Sequence, residues 1–108
     1  MKAQALTRKI IDKCGTNDVY KIAEKNGVSI IYEHWYPVTI GEFEWKTKTI
    51  RVNLRALEVD VNRESSEKII IAHELGHFFA KKFNFDKSDE ETFAHEFAEN
   101  LISSVKNI

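Results

Sequence analysis

The stretch I-I-I-A-H-E-L-G-H-F-F, residues 69–79, decides the fold of this 108-residue chain. It lies in a predicted helix over 64–82 whose apolar residues surround most of the circumference. Such a helix packs against neighbours on more than one side, so it forms the centre of the domain. Gly76 costs about 1 kcal/mol relative to alanine in mid-helix, which indicates a close approach by the sheet or by the last helix.

The same helix carries His73, Glu74 and His77 in the pattern H-E-x-x-H. Residues four apart share a helix face, so both imidazoles reach one ion, and zinc accepts such nitrogens at about 2.0–2.1 Å. Glu74 is rotated by about 100° from His73, which suits it to deprotonate a water on that ion. Zn²⁺ is therefore the predicted cofactor. The alternative is a pair of core histidines bonded to the backbone.

A catalytic zinc takes three protein ligands, so the pattern requires one more. The longer zincin pattern with a third histidine is excluded, because Ala80 and Phe83 stand at its glycine and histidine positions. The last predicted helix, which opens at residues 88–91, offers three side chains instead. These are Glu90, Glu91 and His95.

Glu91 is the preferred third ligand. Around its helix, His95 lies about 40° from Glu91 on a face shared with Ala98 and Ile102, whereas Glu90 lies about 100° away. The alternative for Glu91 is a capping box, since Ser88-x-x-Glu91 has the required spacing. We expect His95 to orient a ligand; the alternatives are a transition-state donor and a histidine satisfied by hydrogen bonds.

Two short helices are predicted before the sheet. Apolar residues at helical spacing form the first, and Gly15 ends it. Thr16 or Asn17 is expected to cap the second, which Gly27 ends.

Three strands follow these helices. Val28–Tyr32 is rich in β-branched residues, and Val38–Trp45 alternates imperfectly, which favours a bulge at Gly41. Lys48–Leu54 alternates well, after a polar turn at 46–47 that predicts an antiparallel hairpin. The chain is therefore predicted to be one α+β domain over 1–108. Its core is a three-stranded, mostly antiparallel sheet with the H-E-x-x-H helix and a C-terminal helix carrying the third ligand.

Composition and charge argue against several classes of function. A net charge of −1 and a pI near 6.4 argue against direct nucleic-acid binding. The chain has no apolar run long enough for a membrane span, and charges interrupt its first residues, so no secretory signal is expected. Cys14 is the only cysteine, which excludes a disulfide framework and favours the cytoplasm.

Two segments resemble the ImmA/IrrE metallopeptidases: H-E-L-G-H-F-F at 73–79 and E-T-F-A-H-E-F-A-E-N-L-I at 91–102. Aligning Phe97-Ala98 with the family's shared Phe-Ala puts Glu91 on the first glutamate of its second motif. Residues 41–53 are similar to the hairpin that precedes the family's active-site helix. The chain departs from the family at His95, where the family has Asn or Asp, and at Phe93, where it has a second glutamate. It also lacks the family's closing proline.

The resemblance implies a minimal zincin-like fold and a zinc endopeptidase that cleaves a helix-turn-helix regulator of a phage, mobile element or stress response. It further implies that His73, His77 and Glu91 are the zinc ligands and that Glu74 is the general base. The oxyanion then needs a donor besides zinc, for which His95, His34, Tyr32 and Tyr36 are the candidates.

The substrate is expected to pair with the edge of the strand near Lys48–Leu54. A different class of function is a catalytically silent, zinc-stabilised interaction module that binds a regulator without cutting it.

Overall fold

The computed structural model describes residues 3–35, 39–58 and 61–106. Within these residues the chain has the α+β class that the sequence predicts. The elements, in chain order, are α1 (Ala3–Cys14), α2 (Val19–Lys25), β1 (Ser29–Glu33), β2 (Gly41–Glu44), β3 (Thr49–Asn53), α3 (Leu54–Leu57), α4 (Arg63–Ala80), a 3₁₀ turn (Lys81–Phe83) and α5 (Lys87–Lys106). The short α3 was not predicted. None of the described helices is both long and apolar enough to cross a membrane.

The two N-terminal helices end at glycines, as predicted. Gly15 and Gly27 both have φ of +70°, a left-handed conformation that favours glycine at the end of a helix. The cap of α2 is Asp18, whose carboxylate accepts a hydrogen bond from the Tyr20 amide at 2.8 Å. The prediction of Thr16 or Asn17 as the cap is therefore wrong. Thr16 instead accepts a hydrogen bond from the Asp18 amide at 3.1 Å, which braces the cap.

The sheet has the strand order β1-β3-β2 and is mixed. β2 and β3 form the predicted antiparallel hairpin around residues 45–48, but β1 runs parallel to β3. The prediction of a mostly antiparallel sheet is therefore wrong. The predicted bulge at Gly41 is also wrong, because pairing runs without interruption from Gly41–Val52 to Glu44–Thr49.

β3 is the central strand, and this position buries its apolar residues. Ile50 and Val52 are fully buried, as their alternation predicts, while Thr49 and Arg51 are half-buried. Because β1 and β2 cover both sides of β3, no edge of this strand is free. The prediction that a substrate pairs with the strand near Lys48–Leu54 is therefore wrong. The edges of the described sheet belong to β1 and β2.

Helix α4 lies at the centre of the domain, as predicted. It packs against the sheet, against α2 and, most extensively, against α5. Ile71 and Leu75 are fully buried in this core. A Cβ built on Gly76 would lie 2.7 Å from the Cα of Ala94 in α5. The expected close approach at Gly76 is therefore made by the last helix, and it brings the two helices together beside the H-E-x-x-H residues.

Candidate metal centre

Three side chains from α4 and α5 converge on one point. Nε2 of His73 lies 2.7 Å from Oε1 of Glu91, and Nε2 of His77 lies 3.1 Å from Oε2 of the same carboxylate. One ligand atom from each of the three residues falls within 4.8 Å of the others. The structure therefore brings together the three residues that the sequence predicts as metal ligands.

The donor set fits a tetrahedral metal ion. Ligand atoms that bind zinc at about 2.0–2.1 Å with tetrahedral angles lie ~3.3 Å apart, a little further than the contacts between Glu91 and the two histidines. Glu91 can make this small movement because its side chain is 62% exposed, whereas those of His73 and His77 are 25% and 18% exposed. The two imidazoles are thus largely buried, and the exposed carboxylate is the candidate ligand with room to move.

The start of α5 explains why the Glu91 side chain is available. The Asp86 carboxylate accepts a hydrogen bond from the Asp89 amide at 2.8 Å, and the Asp86 carbonyl accepts one from the Glu90 amide. Asp86 is therefore the residue that caps this helix. The capping-box alternative had Glu91 reach back to the Ser88 amide, but the Glu91 carboxylate contacts the two histidines instead.

Glu90 contacts the ligand His77 from the other side of the ring. Its Oε2 lies 2.7 Å from Nδ1 of His77, while Nε2 of that ring faces Glu91. A carboxylate on one ring nitrogen directs the lone pair of the other nitrogen towards a metal. Glu90 is therefore placed to orient a candidate ligand, and the sequence spacing alone did not reveal this contact.

Glu74 lies beside the ligands on the buried side of α4, with 7% of its surface exposed. Burial raises the pKa of its carboxyl group to about 7; the neighbouring His77 opposes this rise, and Glu91 and Glu42 add to it. A divalent ion on the ligands would lower this pKa by its positive charge. The carboxyl group is thus buried and close to the candidate ligands, the position that a general base requires.

Gly41 allows strand β2 to approach this carboxyl group. A Cβ at Gly41 would lie 2.6 Å from Cγ2 of Ile70 and 3.4 Å from Oε2 of Glu74. The glycine that appeared from the sequence to mark a bulge is therefore required by the packing of β2 on α4. Its missing side chain leaves the backbone of β2 next to Glu74.

The predicted donor His95 lies at the edge of the centre. Its side chain is 69% exposed and Nε2 lies 3.0 Å from Oε1 of Glu99. It lines one pocket together with His73, Ala98 and Ile102, in agreement with the predicted shared helix face. His95 therefore lines the same groove as the candidate ligand His73, and its ring contacts Glu99.

The other donors proposed from the sequence have partners elsewhere or are not described. Nε2 of His34 lies 2.6 Å from Oε1 of Glu58, and the Tyr32 hydroxyl donates a 2.8 Å hydrogen bond to Glu67. Tyr36 lies outside the described residues.

No protein-family model matches the chain, and neither the curated proteins nor the solved structures include a significant match. Inference about function therefore depends on the residues and geometry of the metal centre.

Proposed function

We propose that the chain is a zinc-dependent endopeptidase of the ImmA/IrrE type. The observation that carries this proposal is the convergence of His73, His77 and Glu91 beside the buried carboxyl group of Glu74. Two histidines and a carboxylate, with a fourth position left for water, are the donors of a catalytic rather than a structural zinc. Structural zinc sites are closed by four protein ligands, usually including cysteine, and Cys14 is the only cysteine in this chain.

Zinc, when bound, acts as a Lewis acid that lowers the pKa of a water molecule and polarises the scissile carbonyl. Glu74 would take the proton of that water as the water oxygen bonds to the carbonyl carbon, and would deliver the proton to the nitrogen as the C–N bond breaks. Its position beside the candidate ligands on the buried side of α4 suits it to this role. Glu90 keeps Nε2 of His77 directed at the ion throughout.

The substrate backbone is proposed to lie along the edge of β2. Only one side of β2 is paired within the described sheet, and Gly41 brings this strand to Glu74. An extended peptide added at such an edge is fixed by main-chain hydrogen bonds, independently of its sequence. This arrangement replaces the edge that the sequence predicted.

His95 is proposed as the second donor to the oxyanion. Its contact with Glu99 leaves it on the groove that begins at His73, and no described contact joins it to a candidate ligand. A donor aimed at the developing charge strengthens binding of the transition state alone.

Cleavage of a helix-turn-helix regulator tests the proposal. Candidate helix-turn-helix regulators should be incubated with the wild type, with Glu74→Gln and with Glu96→Gln, a matched change at an exposed glutamate of α5. We expect the wild type and Glu96→Gln to cut one of them at one site and Glu74→Gln to leave it intact. Stable binding without cleavage by all three proteins would instead favour the interaction module.

A further inference from the structure

An apolar groove runs between α4 and α5 and begins at the metal centre. Its near lobe, of about 260 Å³, has His73 in its wall and the small Ala98 at its base. Ile69 and Ile102 complete the apolar part of this lobe. His95 and Glu99, whose side chains lie 3.0 Å apart and are largely exposed, are polar residues of its lining.

A far lobe continues the groove away from the metal centre. It has a volume of about 390 Å³ and includes Val19 and Val105. Ile69 and Ile102 line both lobes, so the two are continuous. Asp18 and Lys68 lie at the outer end.

The groove exposes apolar side chains that the fold does not need to expose. Ile69 is 48% exposed and Val105 is 44% exposed, although both belong to helices that bury other apolar residues completely. Exposed aliphatic surface gains free energy when a ligand covers it, at about 25 cal/mol per Å². Because these side chains line one groove next to the candidate metal centre, they are grouped rather than scattered singly over the surface.

We propose that this groove seats alternate aliphatic side chains of the extended polypeptide that is cleaved at the metal centre. This inference rests on the proposed function and names the substrate class. Because the ligand His73 forms a wall of the near lobe, a side chain seated there belongs to a residue whose backbone lies beside the ion. The near lobe therefore receives the residue next to the scissile bond.

The spacing of the lobes sets the sequence pattern. Both lobes include Ile69, with His73 one helical turn away in the near lobe and Ser65 one turn away in the far lobe, so the lobes follow successive turns of α4, each about 5.4 Å long. Side chains on the same side of an extended chain lie two residues apart, at about 6.6 Å. Two aliphatic residues with one residue between them therefore fill both lobes.

The groove is less favourable for acidic than for aliphatic side chains. A carboxylate seated against its isoleucine and valine side chains would lose part of its hydration. Glu99 at the rim of the near lobe adds like-charge repulsion. We expect an aspartate in place of each aliphatic residue to weaken binding at least about 10-fold.

Binding of blocked alanine peptides to the Glu74→Gln protein tests this inference without cleavage. The first peptide carries leucine at two alternate positions, the second carries aspartate there, and the third carries leucine at two adjacent positions. We expect the first to shift the methyl NMR signals of Ile69, Ile102 and Val105 and to bind at least about 10-fold more tightly than the second. The third should bind with intermediate affinity, because it fills one lobe only.

Ile69→Lys should remove the binding of the first peptide. The matched control is Val61→Lys, since Val61 is 94% exposed and lines neither lobe. Equal affinity for leucine and aspartate peptides, or methyl shifts away from the groove, would overturn the inference.

Cleavage by the wild type separates this inference from the proposed function. If cleavage depends on Glu74 but shows no preference for aliphatic residues, the groove is not the substrate site, and the proposal of a peptidase stands. Leucine-dependent binding in the groove, with no cleavage of any of the peptides or of the regulator, refutes the peptidase and keeps the groove as a polypeptide site.

Discussion

Oε2 of Glu90 lies 2.7 Å from Nδ1 of His77, while the next residue, Glu91, contacts Nε2 of the same ring. Two successive glutamates of α5 are thus divided between the two nitrogens of one imidazole. A carboxylate on Nδ1 holds a proton there and leaves the lone pair of Nε2 for a metal ion. Glu90 is therefore placed to orient His77, and Glu91 is placed to be the third ligand of a metal ion.

Replacing Glu90 should weaken metal binding without removing a ligand. We expect Glu90→Ala to lower zinc affinity about 10- to 100-fold, the usual cost of losing a group that orients a ligand. Glu90→Gln should lower the zinc affinity less than Glu90→Ala does, because the glutamine amide oxygen still accepts a hydrogen bond from Nδ1 of His77. Competition with a chromophoric zinc chelator measures both variants, with Glu96→Ala as the control. Unchanged affinity in Glu90→Ala would show that His77 is oriented by packing alone.

Gly76→Ala should destabilise the domain although alanine favours helix. The new Cβ would lie 2.7 Å from Cα and 2.9 Å from the carbonyl oxygen of Ala94, and backbone atoms cannot move aside cheaply. We expect a loss of about 1–3 kcal/mol in the free energy of unfolding, as for other overpacked sites. Urea unfolding measures it, with Ser65→Ala on the same helix as the control. A more stable Gly76→Ala variant would mean that α4 and α5 are further apart than described.

Tyr32 should titrate well above its ordinary range. Burial and a hydrogen bond to the Glu67 carboxylate, reinforced by its charge, raise the pKa of Tyr32 to about 12. A raised pKa means that the fold favours the protonated phenol, so the stability gained is present below pH ~10 and is lost as the pH rises towards 12.

Absorbance of the tyrosinate form measures this titration in a chain that carries Tyr20→Phe and Tyr36→Phe, because the chain has three tyrosines and the Tyr20 hydroxyl also donates a hydrogen bond to Glu67. In Glu67→Gln we expect the midpoint of the Tyr32 titration to fall towards pH ~10. It should stay above its ordinary value, because burial still raises the pKa of the phenol. Glu64→Gln, a change at an exposed glutamate of the same helix, should leave the titration unchanged. Identical titrations in wild type and Glu67→Gln would exclude the hydrogen bond to Glu67.

His95→Ala separates the roles considered for this residue. If His95 is the oxyanion donor, kcat should fall about 10²- to 10³-fold, with KM and zinc affinity little changed. Because the side chain is 69% exposed, the thermal stability should not change. Steady-state kinetics on a cleaved peptide measure kcat and KM, and competition with a zinc chelator measures the zinc affinity. A loss of zinc affinity would instead assign His95 to orienting a ligand.

Local sequence patterns predicted the convergence of His73, His77 and Glu91 better than they predicted the sheet. The i, i+4 spacing of His73 and His77 fixes their shared face within a single helix. The angular position of Glu91 on α5 was sufficient to prefer it over Glu90, but the role of Glu90 depends on which ring nitrogen it meets. The contact of Glu90 with His77 forms only when α4 and α5 pack together, so the spacing of residues within one helix cannot predict it.

The pairing of strands is not encoded by alternation. Alternating residues in β3 gave its buried face correctly, yet the same pattern is compatible with a parallel or an antiparallel neighbour. Gly41 illustrates a second ambiguity, because a glycine in a strand marks either a bulge or a close approach. The cap of α2 is a third: Thr16, Asn17 and Asp18 are all good capping residues, and their three-dimensional contacts decide among them.

Metal content tests the central claim most directly. The protein should be purified without a chelator or a metal-affinity tag and analysed by native mass spectrometry together with His77→Ala and Glu91→Ala. We predict about one zinc ion per wild-type chain, none in His77→Ala and a reduced amount in Glu91→Ala. A wild-type chain that carries no zinc and takes up none on reconstitution would contradict the metal centre and the peptidase built on it.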